Sequence, residues 1–380
     1  MTDALVIGSG PSGLATGAEL VKRGIDVTVL ERGERTAAAW AGRYDGLRFN
    51  TSRWWSALPG APFPRAYGWF PTRDQYVRYL EDYAAARHVP VRHGVTVERL
   101  DPAPEGGWNV AATGEDLHST HVVVATGVFN VPVLPDWARG DRRPRNVLHA
   151  SDYRNAMPYR GRRVLVVGAG STGMEIAREL ADDGAAEVSL SVRTAPNILL
   201  RSSGGLPGDL SVPLILRLPT DLADSILSAV QRATVGDLSP FGLGHPPAGV
   251  IAQLRERGAG TAVVDKEVLD AIRDDRIRVV AAVDRLDDDG ARLVDGSHVG
   301  ADVVIAATGY TTGLREMAGH LDVLDARGMP RVVDGGEVMA GLRFVGYVPR
   351  PGLTGYTGKL ARVAARGIAA ARDDTAVAAP

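Results

Sequence analysis

Gly8-Ser9-Gly10-Pro11-Ser12-Gly13 follows the apolar run Ala4-Leu5-Val6-Ile7, and Gly168-Ala169-Gly170-Ser171-Thr172-Gly173 follows an apolar run that begins at Val164. After each glycine group comes a helical stretch, ending at Gly24 in one case and at Gly184 in the other, and then a second apolar strand, Val27-Thr28-Val29-Leu30 or Val188 to Val192. Glycine just past a helix end is the expected left-handed cap. Glycines in this pattern allow a tight turn and close approach of the backbone to a pyrophosphate, while the N-terminus of the next helix offers unpaired N–H groups to the anion. A glycine pattern alone is weak evidence; its place between a strand and a helix makes it a dinucleotide-binding βαβ unit.

Two such units, far apart in the chain, predict an α/β protein of two Rossmann-like dinucleotide-binding domains. A length of 380 residues suits two cores. A second echo agrees: Val122-Val123-Val124-Ala125-Thr126-Gly127 and Val303-Val304-Ile305-Ala306-Ala307-Thr308-Gly309 are both buried-type strands ending in Ala-Thr-Gly. Pro132 to Gly161, rich in Pro, Arg and Gly, reads as the connection between domains. Phe344-Val345-Gly346 reads as one more strand and Leu353 to Arg372 as a helix, with a frayed tail from Asp373. That last strand and helix are expected back on the first domain. The expected division is therefore 1–155 and 311–380 for the first domain, with 156–310 inserted as the second.

The ends of the second strands distinguish the two units. Glu31, with Arg32 beside it, closes the first; a carboxylate there accepts both ribose hydroxyls, which suits FAD. The other ends without an acid. Ser191 stands there, followed by Arg193-Thr194, and a guanidinium grips a 2′-phosphate bidentately, so NADPH is expected over NADH. Arg201 is a second candidate for that phosphate. The expected cofactor contacts are Gly8, Gly10, Ser12, Gly13, Glu31 and Arg32 for FAD, and Gly168, Gly170, Ser171, Thr172, Gly173, Arg193 and Thr194 for NADPH, with Thr126-Gly127 and Thr308-Gly309 at the closing strands. Two dinucleotide sites with no metal motif mean hydride traffic from NADPH to flavin. The chain has no cysteine, which removes disulfides, thiolate metal sites and every dithiol mechanism. Oxygen with an organic substrate, a quinone and a partner protein remain as acceptors.

Net charge is −2, so no basic surface argues for nucleic acid or an anionic membrane. Met1 runs into a strand without a basic and apolar leader, and no apolar run approaches the length of a span, so a cytoplasmic address is expected. A homodimer is compatible with this reading. Residues 200–258 carry the helix-like stretches Ser211–Leu216 and Leu222–Val230, which read either as packing against the second domain or as a wall of the substrate site.

Beyond both glycine groups, the chain carries Trp40 with Tyr44-Asp45-Gly46-Leu47-Arg48, then Leu58-Pro59-Gly60, Phe70-Pro71-Thr72-Arg73-Asp74-Gln75-Tyr76, and His149-Ala150-Ser151-Asp152-Tyr153. With Ala307-Thr308-Gly309-Tyr310, these stretches resemble the flavin-containing monooxygenases, the class that includes the plant auxin-forming enzymes, over nearly the whole length. The family motif before the second glycine group, Phe-x-Gly-x-x-x-His-x-x-x-Tyr, survives only in its second half; Arg143 and Arg145 stand where it has Phe and Gly. The resemblance implies that NADPH reduces FAD, that the reduced flavin captures oxygen as a C4a-(hydro)peroxyflavin, and that a small organic substrate is oxygenated. Tyr153, where Baeyer–Villiger members carry Trp, favours a nucleophilic N or S; Baeyer–Villiger or oxidative-decarboxylating chemistry, or a reductase serving a quinone or protein, are the alternatives. It also implies a cofactor contact at Trp40, and in Asn50-Thr51 an amide near the reacting flavin edge, where Asn50 serves either as a donor or as a turn residue. Trp54 and Trp55 are candidate substrate walls, one of them expected in the core, and Gly352 and Gly355 either aim the last helix at reduced flavin or form a plain turn. His149 and Tyr153 are expected to latch the domain connection.

Overall fold

The computed structural model describes residues 2–139, 146–257 and 261–378. Arg143 and Arg145 lie outside the described residues. The first unit is built on five parallel strands in the order Leu342–Phe344, Glu115–Val124, Thr2–Ile7, Val27–Leu30 and Val91–Arg92, extended by antiparallel strands. The second has Arg278–Val280, Glu187–Ser191, Arg163–Val167, Val303–Ala306 and Val147–His149, all parallel. In each sheet the strand before the glycine turn sits between the second strand of its own βαβ unit and the apolar strand that ends in Ala-Thr-Gly. Leu342–Phe344 pairs with Val122–Val124, so the chain does return to its first sheet after completing the second.

Two boundaries differ from expectation. Val147–His149 lies inside the stretch read as connection and ahead of the division at 155, yet it is the edge strand of the second sheet, pairing with Val304–Ala306. Its three residues are too few to show a period amid the surrounding Pro and Arg. The last helix runs from Leu353 to Ala378, past the expected fraying point at Asp373, because alanine-rich sequence propagates a helix well. Its Leu360, Ala361, Ala364, Ala365 and Ile368 pack with Leu14, Ala15 and Ala18 of the helix Pro11–Val21. That helix starts with Pro in its first turn, where the missing N–H costs nothing, and stops before Gly24 at φ +65°.

The helix Arg73–Ala86 is set by a capping box: Gln75 N donates to Thr72 Oγ1 at 3.3 Å, and Thr72 N to Gln75 Oε1 at 2.9 Å. Tyr76, Tyr79, Leu80 and Tyr83 on one face are buried beside Phe49 and Phe63. Trp40 packs edge-on against Tyr76, with ring centroids 4.7 Å apart. Its ring is half-buried at the edge of this aromatic cluster.

The chain crosses between units twice, and the crossings pair as a ribbon. Val131–Pro132 going out lies antiparallel to Tyr310–Thr311 coming back. Thr308 Oγ1 donates to the Val133 carbonyl at 2.5 Å, and Val133 N to Gly309 O at 3.0 Å. His149 reaches the ribbon as expected: Nε2 is 3.0 Å from Gly309 O, while Nδ1 accepts from Ser151 N at 3.0 Å. The Nδ1 acceptor role assigns the proton to Nε2, and burial lowers the imidazole below its ordinary pKa. Tyr153 is buried in the second core, stacked on Tyr159.

Residues 200–257 include the helices Val212–Ile215, Thr220–Thr234 and Val250–Arg257, around a small core of Ile215, Ala223 and Ile251. Gln231 accepts from Ile198 N at 3.2 Å, and Asn197 donates to Ala248 O at 2.9 Å, which fastens this layer to the second unit. No helix of the described residues is long and apolar enough to cross a membrane.

Candidate active site

Both glycine turns are shaped by exclusion. At Gly13 a Cβ would stand 1.8 Å from the Gly8 carbonyl oxygen, and at Gly173 it would stand 1.9 Å from that of Gly168. Gly8 and Gly168 take φ of +103° and +115°, and their missing Cβ atoms would press on Ala125 O and Ala307 O at 2.9 and 2.5 Å. The middle glycines behave differently: a Cβ at Gly10 or Gly170 meets nothing within 4 Å. These are the positions where the turn leaves open space in front of the helix start. Neither helix has a side-chain cap on its first N–H groups. Open space facing uncapped donors is what a pyrophosphate needs, so both turns fit a dinucleotide.

Glu31 is buried at the end of its strand and well held. Ser9 N donates to Oε2 at 3.0 Å, Ser9 Oγ to the same oxygen at 2.5 Å, and Gly33 N to Oε1 at 2.9 Å. Arg32 next to it is exposed. Ser12 Oγ accepts from Thr357 at 2.9 Å, which ties this turn to the last helix. Thr126 Oγ1 lies 2.9 Å from the Tyr347 hydroxyl, and burial pushes that phenol up to about 12. Gly127, at φ +81°, has open space around its missing Cβ. In the second unit Ser191 donates to Ala281 O at 2.9 Å, Ser171 Oγ accepts from Val263 N at 2.9 Å, and Arg193 and Thr194 are exposed. Thr308 is taken up by the ribbon, and the Gly309 carbonyl by His149.

Arg201 is not free to read a phosphate. Only 4% exposed, it donates through Nη1 to Asp265 and through Nη2 to Glu175, and Nη2 also lies 3.3 Å from Asn50 Oδ1. Tyr44 donates to the other oxygen of Glu175, with Thr172 beside it. Burial pushes the Glu175 carboxyl above its ordinary value, and Arg201 pulls it back. Burial and then Glu175 hold the Tyr44 phenol well above its own value. Next along, Ser52 N donates to Asp209 Oδ2 at 2.5 Å. Residues of the first unit (Tyr44, Asn50, Ser52) thus meet residues of the second (Glu175, Arg201, Asp209, Asp265) in one polar seam. Sequence reasoning missed it, although Tyr44 lay in the family stretch and Glu175 interrupts the apolar face of its helix.

Among the described residues, three buried atoms at this seam have no partner: Ser52 Oγ, Asp209 Oδ1 and Arg201 Nε. Buried polar atoms are nearly always bonded, so orphans collected in one place fit a site that a bound group completes. Asn50 itself is exposed, and Thr51 Oγ1 lies 2.8 Å from Ser56 Oγ. Trp54 and Trp55 are both exposed, so neither is core; Trp54 stands edge-on to Trp69 at 4.9 Å. The Trp55 carbonyl lies 2.2 Å from where Gly355 would carry a Cβ and 3.2 Å from that of Gly352. Those glycines therefore admit the backbone of the Trp loop to the start of the last helix.

The pyridine nucleotide-disulphide oxidoreductase family model matches residues 5–198. An indole-3-pyruvate monooxygenase of Oryza sativa subsp. japonica, YUCCA1, is 38% identical over 82% of this chain and 77% of its own length. A second, YUCCA8 of Oryza sativa subsp. indica, is 33% identical over 82% and 76%. Among solved structures, a variant flavin monooxygenase from Stenotrophomonas maltophilia superposes with a TM-score of 0.71 at 23% identity, covering 98% of this chain and 99% of the other. OTEMO, in complex with FAD and NADP, gives 0.75 at 18% identity over 98% and 85%. The chain belongs to the flavin-containing monooxygenases, a branch of the pyridine nucleotide-disulphide oxidoreductases. It is an NADPH-dependent flavoprotein monooxygenase that uses FAD. Without cysteine, it has no part in the dithiol chemistry that gives the wider family its name.

Proposed function

We propose that the substrate is a 2-oxo acid with a bulky apolar side chain, cleaved at the keto carbonyl by oxidative decarboxylation. The observation that carries this reading is the shared name of relatives that match more than four-fifths of the chain, indole-3-pyruvate monooxygenase. The exposed Trp54 and Trp55, with the half-buried Trp69 edge-on to Trp54, supply an apolar, aromatic approach to the seam. Tyr153, the residue that spoke for N or S oxygenation, is buried against Tyr159, so it bears on packing first.

The balance is one 2-oxo acid, O₂, NADPH and a proton giving the shortened acid, CO₂, NADP⁺ and water. The bond between the carboxylate and keto carbons breaks; one oxygen atom enters the acid and the other leaves as water. Bound flavin supplies the two-electron relay and the activation of oxygen. The chain's residues do the rest. Glu31 accepts the ribose hydroxyls, the N-termini at Gly10 and Gly170 hold the pyrophosphates, and Arg193 with Thr194 grips the 2′-phosphate. Asn50 donates an N–H to the reacting oxygen. A chain without cysteine works without difficulty in a reducing cytoplasm, where we place it.

The test is turnover with NADPH and labelled O₂ on indole-3-pyruvate, with a tertiary amine and a thioether in parallel. Label in the shortened acid, with CO₂ equal to NADPH consumed, is the expected result. Oxygenated amine or thioether with the oxo acid untouched replaces the substrate assignment. Reduction of a quinone with no label in any product removes the oxygenation step altogether.

A further inference from the structure

We propose that Arg201 is a positioning residue: it selects the orientation of the Asn50 amide, so that Nδ2 is the end left to serve the reacting oxygen. The inference rests on the reading of Asn50 as a donor. Two of the Arg201 contacts, to Asp265 and Glu175, lie within the second unit. The third crosses the seam, from Nη2 to Oδ1 of Asn50 at 3.3 Å.

A guanidinium has only donors. An amide turned the other way would set its own N–H groups against that charge, so Nη2 admits one of the two orientations. In that orientation Nδ2 has no hydrogen-bond partner among the described residues, and Asn50 is exposed. The selector is itself immobile. Carboxylates hold the guanidinium on two sides, and Tyr44 donates to Glu175 from the first unit. Two acids around one buried base overcompensate its charge, yet they are the arrangement that keeps a flexible side chain aimed at one atom across a domain boundary.

A brace that merely ties the units together would behave differently. Its loss would add to the effect of losing Asn50, whereas a residue acting through Asn50 has no effect once Asn50 is gone. The experiment is a double-mutant cycle on the FAD-loaded enzyme with Asn50→Ala and Arg201→Lys. Lysine keeps a cation between the two carboxylates, avoiding the large penalty of unpaired buried charge, but gives up the planar fork. The first readout is the rate of hydrogen peroxide release from NADPH-reduced enzyme in oxygenated buffer without organic substrate, which does not depend on the substrate assignment. The second is the pair of side-chain N–H resonances of Asn50 in asparagine-labelled protein.

Arg201→Lys is expected to speed peroxide release about tenfold, the loss of one charge-assisted hydrogen bond, and to shift the two amide resonances of Asn50, which stay separate because the C–N bond has partial double-bond character. In the Asn50→Ala background it adds nothing. An equal factor with and without Asn50, or an unchanged pair of resonances, overturns the inference and leaves the role of Asn50 standing. An Asn50→Ala enzyme that releases peroxide no faster than the parent overturns both. If Arg201→Lys fails to hold flavin, Glu175→Gln slackens the same brace with the guanidinium in place, and the cycle is read with that variant.

Discussion

The two glycine turns are close to steric copies, and the two units nevertheless differ at the end of the strand that follows. The third glycine of each turn faces the carbonyl of the first at 1.8 and 1.9 Å, and each first glycine faces the closing strand, at Ala125 or Ala307. The divergence comes one strand later. Glu31 is buried and takes three hydrogen bonds before any ligand arrives, and the last helix is bonded to the same turn through Thr357 and Ser12. At the matching place in the second unit, Ser191 is turned inward to Ala281 and Arg193 stands exposed. The common geometry fits a pyrophosphate; on the proposed assignment, the strand end decides which nucleotide sits there and whether it stays. A preorganised, buried carboxylate suits a resident flavin, and an exposed guanidinium suits a reductant that comes and goes.

The harshest way to break this comparison is to fill the two seats. Gly13→Ala puts a methyl group into the Gly8 carbonyl, a clash costing at least about 1–3 kcal/mol that only a shift of the helix start relieves. Purified Gly13→Ala protein is expected to lack flavin absorbance. Gly173→Ala carries the same clash in the other unit and is expected to remain yellow while NADPH no longer reduces it. Loss of flavin from both variants alike would show that the units do not hold their nucleotides independently.

Arg193→Ala sharpens the comparison with a smaller effect. Removing a charge-assisted phosphate contact worth about 1.5–3 kcal/mol raises the dissociation constant for NADPH by about 10- to 150-fold and hardly alters that for NADH. Titration of both nucleotides against the variant checks it, and equal weakening would take the 2′-phosphate away from Arg193.

The smallest effect is on pH dependence at the crossing. Burial lowers the His149 imidazole below the ordinary 6.5, so the folded protein takes up that proton less readily than the unfolded chain. Its contribution to stability is complete above about 6.5 and falls away as the pH drops toward the lowered value. His121, lowered by burial and by Arg343 in the first unit, acts with the same sign. The thermal midpoint is expected to fall on acidification from about pH 7 to about pH 5, and His149→Gln to flatten that slope. A variant with the parent's slope would assign the dependence to other groups.

What was legible in the sequence is what the backbone demands locally. Gly8, Gly13, Gly168 and Gly173 are required by contacts with their own turn and the closing strand, so pattern and context reveal them. Glu31 was legible because its strand ends beside its own turn. The seam was not, since Arg201 meets Glu175 across 26 positions and Asn50 across 151, and no periodicity joins such residues. Arg201 looked like a phosphate ligand because an arginine near a nucleotide unit has that value by default; only its burial between two carboxylates shows otherwise. The tryptophans misled in part: one of Trp54 and Trp55 was expected in the core, and both stand at the surface.

The ribbon of Val131–Pro132 and Tyr310–Thr311 has one further consequence. Entry and exit of the inserted unit lie side by side, bonded to each other. To the flavin-holding unit, the whole second nucleotide domain is a loop whose ends already meet, and the entropy of closing a loop grows only slowly with its length. Adjacent termini are also what makes an inserted domain exchangeable. The stretch between the two crossings is thus a cassette: a different reductant specificity can be grafted at the ribbon without redrawing the flavin unit, provided the graft brings its own partner for Asn50.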